Sequence, residues 1–339
     1  MRKIVTGAAV AALLLATAPA LANDSSAELA AGGLVLTQDA DIEMRSEDLF
    51  ISRDEVVVKY RFLNTAPADK TIRVAFPMPD IEFSESPMGR VSEDSQNLLD
   101  FVTTVGGVPV HAAVEQKAWK GQTDVTARLA ALHVPIAPHL EATWNALDGL
   151  SAADKAALVR DELVWEEEYD DGDGRGMVKH LKPNWRMSTI YHWQQTFPAG
   201  RELAVEHRYK PAIGQGAGTQ VASPYTPAGD ADYAAYLARY CVDADYIASV
   251  KRRMAAAHAE YPPFTETRIA YVLKTGANWA KPIGHFRLVV DKGAANDLVS
   301  FCATGVHKIG PTQFEVVHDN FLPDRDLDIL ILTQIPQEQ

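Results

Sequence analysis

Residues 42–79 carry apolar side chains at every second position, and this period narrows what the chain can fold into more than any other feature. Ile42 and Met44 open the pattern, and Ser46-Glu-Asp48 reads as a turn. Val56, Val58, Tyr60 and Phe62 then alternate with Glu55, Val57, Lys59 and Arg61. After a polar break at residues 64–69, Val74, Phe76 and Met78 resume the alternation until Pro79 ends it. Successive side chains of a strand point to opposite faces, whereas a helix repeats every 3.6 residues. The stretch therefore predicts antiparallel strands with one face buried.

The same reading organises the rest of the chain. Gly106-Gly107 between apolar runs at 101–105 and 108–114 predicts a hairpin, because both turn positions can take positive φ. At Gln122 the period changes. Val125, Leu129 and Leu132 are spaced for a helix, with Thr123 or Asp124 as cap and Pro135 and Pro138 as stops. Ser151-Ala-Ala-Asp154 resembles a capping box opening a second helix that buries Leu158, Val159 and Leu163. Residues 122–168 thus read as a helical insertion. Strands resume at Trp185: Tyr191, Trp193 and Phe197 alternate, as do Leu203, Val205, His207 and Tyr209. A hairpin turn at 198–201 would align Phe197 with Leu203 and Trp193 with His207, placing His207 on the aromatic face and His192 on the other.

Residues 214–229, rich in Gly, Pro, Ser and Thr, read as a linker, and 233–258 as one helix ended by Pro262-Pro263. Further strands are expected at 268–274, 286–290, 298–301, 314–317 and 327–332. The expected fold is mainly β with helical insertions, an α+β antiparallel sandwich. Its parts would be an N-terminal β lobe at 23–213 and a C-terminal helix-plus-β lobe at 230–336. The pattern leaves open whether these make one sandwich or two.

The first 22 residues do not belong to that core. Arg2 and Lys3, an apolar run at 4–15 and Ala20-Leu21-Ala22 form a secretory signal peptide, with cleavage expected between Ala22 and Asn23. The apolar run is too short to span a bilayer, and no later stretch is long enough. The expected location is periplasmic or secreted, without a transmembrane segment in the mature chain. Formal net charge is −13, and loss of Arg2 and Lys3 takes it to −15. Such acidity excludes nucleic acid and anionic lipid as natural partners; the one basic cluster, Lys251-Arg252-Arg253, falls on a helix face. Two cysteines, Cys241 and Cys302, are expected to form a disulfide in an oxidising compartment, with two buried thiols as the alternative.

Signatures of common catalytic machinery are missing: there is no G-x-S-x-G elbow, H-E-x-x-H helix or P-loop. The loop Asp170-Asp171-Gly-Asp173-Gly-Arg-Gly176 could offer oxygen ligands to Ca²⁺ through Asp170, Asp171 and Asp173. In a calcium loop beginning at Asp171, however, Arg175 takes the fifth position and Lys182 the twelfth, where a bidentate Glu belongs. A solvated acidic loop is the favoured reading, and no cofactor is expected. The histidine spacing does not force the three or four converging ligands of a zinc site. His180, Glu166 and Asp171 are the first candidates for a catalytic site formed only in three dimensions. Trp119, Trp185 and Trp279 stand near strand ends or loops, where indoles could form a platform for sugar rings, whereas Trp165 and Trp193 fall on apolar faces.

Several longer motifs carry a resemblance. Tyr191-His-Trp193, Thr196-Phe-Pro-Ala-Gly200, Glu206-His-Arg-Tyr209, Asn278-Trp-Ala-Lys-Pro-Ile283, Leu298-Val-Ser-Phe-Cys302 and Asn320-Phe-Leu-Pro-Asp324 join Ala75-Phe-Pro-Met-Pro79 and the segment from Asn23 to Gly33. Together they resemble the secreted bacterial family called domain of unknown function 4424 (DUF4424). The resemblance covers nearly all of the mature chain, so 23–336 would be one family-wide domain. It implies a Gram-negative envelope location and supplies no catalytic residues. The N-terminal part is also similar to vault/inter-α-trypsin β-sandwich modules, which are interaction modules. The resulting expectation is a non-catalytic binding or interaction module with an envelope protein or glycan as partner. An envelope hydrolase and a calcium- or glycan-binding module are the alternatives.

Overall fold

A computed structural model describes residues 25–30, 33–83, 97–172, 174–227 and 229–335. The segment expected to be a signal peptide, Asn23, residues 84–96 and Asp173 lie outside the described residues. Two paired strands, β1 (Ser25–Ala30) and β2 (Gly33–Thr37), come first. The long β3 (Ile42–Ile51), β4 (Val56–Asn64) and β5 (Lys70–Pro77) follow, then the short β6 (Ile81–Glu82). Next are β7 (Val102–Val105), β8 (Val108–Val110), β9 (Ala113–Lys120) and β10 (Thr123–Asp124). Helices α1 (Thr126–Ala131), α2 (Glu141–Asp148) and α3 (Ala152–Arg160) lead to β11 (Val164–Asp170), β12 (Met177–Pro183), β13 (Arg186–Phe197), β14 (Glu202–Tyr209) and β15 (Ile213–Gly216). After α4 (Ala231–Arg239) and α5 (Ala244–Ala256) come β16 (Phe264–Tyr271), a 3-10 turn at Lys274–Asn278, β17 (Ile283–Asp291), β18 (Leu298–Phe301), β19 (His307–Lys308), β20 (Gln313–Phe321) and β21 (Leu327–Gln334).

The strands form an eight-stranded sheet (β19-β20-β17-β3-β4-β14-β7-β8), a seven-stranded sheet (β10-β9-β13-β5-β1-β2, with β6 beside β13), a four-stranded sheet (β15-β16-β21-β18) and the two-stranded arm β11-β12. Among the described strands, every ladder is antiparallel except β3 with β17, which run parallel from His285↔Ser46 to Val290↔Ile51. Strands from both sides of residues 214–229 therefore share one sheet. They also share one core, in which Val58, Phe62, Phe76, Trp193, Phe286 and Ile329 are all buried. Burying each such side chain contributes roughly 1.5–3 kcal/mol, which is why the two-residue period dictates the faces. The predicted inward set Val56, Val58, Tyr60 and Phe62 is buried, as are Val74, Phe76 and Met78. Gly106 and Gly107 turn at φ +58° and +81°, and Ser151 caps α3 by accepting the Asp154 N–H.

Six local expectations are corrected. No turn interrupts 46–48: β3 runs through, with a bulge between Met44 and Ser46. The extra residue reverses the parity, so Met44 and then Glu47, Leu49 and Ile51 all face inward. Glu47 is consequently buried and accepts a hydrogen bond from Tyr271 Oη at 3.2 Å, with Tyr60 Oη 3.1 Å from the same hydroxyl. Residues 198–201 do not close a hairpin. β13 pairs with β5 and β9, β14 with β4 and β7, and the chain crosses between sheets there. Trp193 and His207 still meet, at 5.4 Å between ring centroids, but across the sandwich rather than along a ladder. Asn64 fixes that corner by donating to Ala68 O and Phe197 O, both at 2.9 Å.

The helical insertion also ends early. Residues 164–168 are strand, and Thr123-Asp124 is the short β10 rather than a cap, although Asp124 Oδ1 does accept the Thr126 N–H. The expected single helix at 233–258 is two. Cys241 takes φ +50° in the break, and Asp243 caps the second by accepting the Tyr246 N–H at 2.7 Å. Finally, the presumed linker begins as β15, paired with β16. No helix among the described residues is long and apolar enough to cross a membrane.

Candidate functional site

Two concave sites stand out, at opposite kinds of junction. The first lies where β9, β6, β11 and the 183–186 corner converge. Trp119, Trp165 and Trp185 line it with Phe83, Gln122, Asn184 and Arg186, enclosing about 450 Å³. Trp119 Nε1 donates to Ser188 Oγ at 2.9 Å, and the Arg186 guanidinium lies 5.6 Å from the Trp119 ring centre. Arg186 is ion-paired with Asp80. Burial pushes the Asp80 carboxyl above its usual value, and the Arg186 charge opposes that shift without cancelling it. Trp185 forms buried floor, its Nε1 donating to Ile136 O at 2.8 Å.

Trp165 corrects the expectation of a core residue: it is 38% exposed. The arm β11-β12 has only two strands, so the Trp165 face is partly covered, by the edge of Phe83 at 5.3 Å. Trp279, the remaining platform candidate, does not line this cleft. It is buried in the main core 4.8 Å from Phe62.

Behind the cleft, the ammonium of Lys182 sits 4.8 Å from the centre of Trp144 and 4.9 Å from that of Tyr169, and 3.1 Å from Tyr169 Oη. This aromatic enclosure already holds a cation, the protein's own lysine. Next to it, His180 stacks on Tyr169 at 4.1 Å. Its Nδ1 is 2.7 Å from Asp148 Oδ2, and Asp148 Oδ1 accepts the Leu181 N–H at 3.0 Å. His180 Nε2 lies 3.4 Å from Asp171. Thus two of the three catalytic candidates, His180 and Asp171, come together. The third does not: Glu166 is exposed and pairs with Lys179 at 3.1 Å. His180 is buried between two carboxylates, an arrangement that ties the β11-β12 arm to the end of α2. None of the three lines either principal cleft. Asp170 Oδ1 accepts the Gly172 N–H at 2.8 Å, and Asp171 is shared between His180 and Arg175, each at 3.4 Å. Among the described residues, no three His, Cys, Asp or Glu side chains gather as a metal site would require.

The second site is a pocket of about 460 Å³ at the β17–β20 end of the eight-stranded sheet. Its apolar lining comes from Phe286 and Leu288 of β17, Val316 and Phe321 of β20, and Leu273, Leu322 and Leu327. Phe286 and Phe321 stack at 4.6 Å, and His318 stacks on Phe321 at 5.3 Å. The Cys241–Cys302 disulfide forms one wall. Asp324, Arg325 and Asp326 form a charged rim. Asp326 Oδ1 accepts the N–H groups of Leu273 and Lys274 at 3.0 and 3.1 Å, and burial raises its pKa despite those donors. Sequence reasoning missed this pocket. Alternation identifies which face of β17 and β20 is apolar, but not that residues 273, 302–304 and 322–327 come round it as the walls of a pocket. The cysteine pair beside the apolar run 298–301 was the one available signal.

Comparison with known proteins gives a family. The model of DUF4424, a domain of unknown function, matches residues 22–330, and the chain belongs to that family. No curated protein matches it. Among solved structures, a protein from Legionella pneumophila subsp. pneumophila str. Philadelphia 1, provisionally named as nutrient binding, aligns over 92% of this chain and 70% of its own, with 18% identity and a TM-score of 0.45. The vault/inter-α-trypsin likeness is not shown by these comparisons.

Proposed function

We propose that this member of the DUF4424 family is an exported, non-catalytic binding protein whose ligand seats in the pocket beside the Cys241–Cys302 disulfide. The observation that carries this reading is the lining itself. Seven large apolar side chains from three parts of the chain line about 460 Å³, together with a few polar ones, Thr304, His318, Asp324, Arg325 and Asp326. That volume falls within the roughly 300–1,000 Å³ of small-molecule sites, which are mostly apolar with a few polar groups at fixed positions. The ligand is a small molecule with an apolar body and a polar end that meets Asp324, Arg325 and His318. Export is supported by Arg2 and Lys3, the apolar run at 4–15 and Ala20-Leu21-Ala22, and mass measurement of the protein recovered from the envelope is expected to show Asn23 as its first residue.

Binding is tested with N-phenyl-1-naphthylamine, an apolar fluorophore of suitable size. Saturable fluorescence enhancement is expected with the native protein and a weaker one with Leu322→Arg, which places a charge at an exposed part of the lining without disturbing the core. Equal titrations for the two proteins, or no saturable signal from either, would end the proposal.

A further inference from the structure

We infer that the cleft between Trp119 and Trp165 is a second, separate binding site, which takes neutral oligosaccharides. It shares no residue with the pocket beside the disulfide, so it stands whether or not that pocket binds a ligand.

The argument starts from what the cleft presents. A pyranose ring has an apolar C–H face and a polar rim, so a site for it needs flat aromatic surface beside donors and acceptors held in place. Both are present. Trp165 remains 38% exposed although the chain has ample core in which to bury an indole. Trp119 is half-buried on the outer face of β9, its ring held in orientation by the Nε1 bond to Ser188 Oγ. Phe83 buttresses Trp165 edge-on at 5.3 Å, which fixes that ring too. The aromatic surface is therefore preorganised by elements distant in sequence rather than carried on one mobile loop.

The polar groups are also fixed. A guanidinium has five N–H donors; Arg186 uses some on Asp80 and Gly121 O and is pinned over Trp119 by them. Asn184 gives Nδ2 to Glu162 O at 2.8 Å, which leaves its side-chain oxygen as an acceptor at the cleft wall. Gln122 is exposed at the opposite wall and offers both a donor and an acceptor. This set suits hydroxyl groups, each of which donates one hydrogen bond and accepts two.

Charge selects among saccharides. The chain carries a net charge of −13, and a field of that sign repels polyanionic glycans. Within the cleft, Arg186 is already neutralised by Asp80, and the other two charged lining residues, Glu82 and Lys120, are of opposite sign. Neutral sugars are thus the class that the site accommodates.

The test uses the mature protein and three neutral tetrasaccharides, chitotetraose, maltotetraose and cellotetraose, followed by isothermal titration and tryptophan fluorescence. At least one is expected to bind saturably and change the fluorescence. Trp165→Ala is expected to weaken that binding at least about tenfold, the equivalent of about 1.4 kcal/mol, while the melting temperature and naphthylamine binding stay as in the native protein. Gln122→Ala, exposed and remote from the core, is expected to weaken it by a smaller factor. Absence of binding by all three sugars up to about 10 mM, a concentration that detects affinities weaker than −4 kcal/mol, overturns the inference. Binding that survives both substitutions unchanged overturns it as well.

Discussion

His139 gives the sharpest physical prediction. The residue keeps some solvent exposure, but both ring nitrogens are shut away from water and have no hydrogen-bond partner. The burial of the nitrogens governs the charge, because a proton placed there can be neither hydrated nor shared. Desolvation accordingly lowers its pKa from 6.5 to about 4. Between those values the unfolded chain binds a proton that the folded chain refuses, so stability rises with pH across this window. The contribution is complete above pH 6.5 and is lost as pH falls toward 4. One pKa unit corresponds to about 1.4 kcal/mol, so the full loss is about 3 kcal/mol, and about 2 kcal/mol is gone by pH 5. Urea unfolding of the native protein and of His139→Leu, each at about pH 7.5 and pH 5, isolates this term because the other titrating groups are shared. The native protein is expected to lose about 2 kcal/mol more than the variant between the two pH values. Parallel losses in the two proteins would refute the reasoning, since they would show that His139 titrates normally in the fold.

Two further outcomes follow from geometry. The disulfide closes a loop across 61 positions, for which chain entropy gives roughly 4 kcal/mol. With an unfolding entropy of about 2 cal/mol/K per residue, the double substitution Cys241→Ser, Cys302→Ser is expected to lower the calorimetric melting temperature by about 6 °C; an unchanged midpoint would show that the bridge constrains nothing. A Cβ on Gly284 would lie 2.6 Å from the Arg45 carbonyl oxygen at the β3 bulge. Gly284→Ala is therefore expected to destabilise by about 1–3 kcal/mol in denaturant titration, and a neutral result would mean that β17 does not approach the bulge so closely.

How much was legible in the sequence depended on the range of the signal. The inward sets of β4 and β5, the Gly106-Gly107 turn and the Ser151 cap are local, and each is written in a few adjacent residues. The β3 bulge was not legible, because Met44 and Glu47 break the two-residue parity and a polar Ser-Glu-Asp run resembles a turn. The corner at 198–201 was misread for a related reason. Alternation identifies the inward aromatic residues of β13 and β14, but two strands that face each other across a core have the same pattern as two that pair side by side. Three of the tryptophans show the same limit. Trp165 and Trp185 could be assigned to a face or a strand end, and Trp279 to a loop; only the neighbouring elements determine that the first is partly open and the others are covered. The Cys241–Cys302 pair could be anticipated because only two cysteines exist, but the pocket it walls depends on residues 273, 302–304 and 322–327 meeting in space.

The parallel pairing of β3 with β17 has a consequence for how the molecule comes into being. Its partners, such as Phe50 and Val289, lie about 240 residues apart, so closing that contact carries a loop entropy that no local hairpin has to meet. As the chain emerges in order, β3 can pair with β4 on one side, while its other edge stays open until the last third arrives. An open strand edge invites pairing with other chains. A chain interrupted before β17 therefore ends in the middle of a sheet, with one edge of β3 unpaired, and is exposed to aggregation. The proposed export, by passing the whole chain unfolded through a channel before it folds, would remove that hazard.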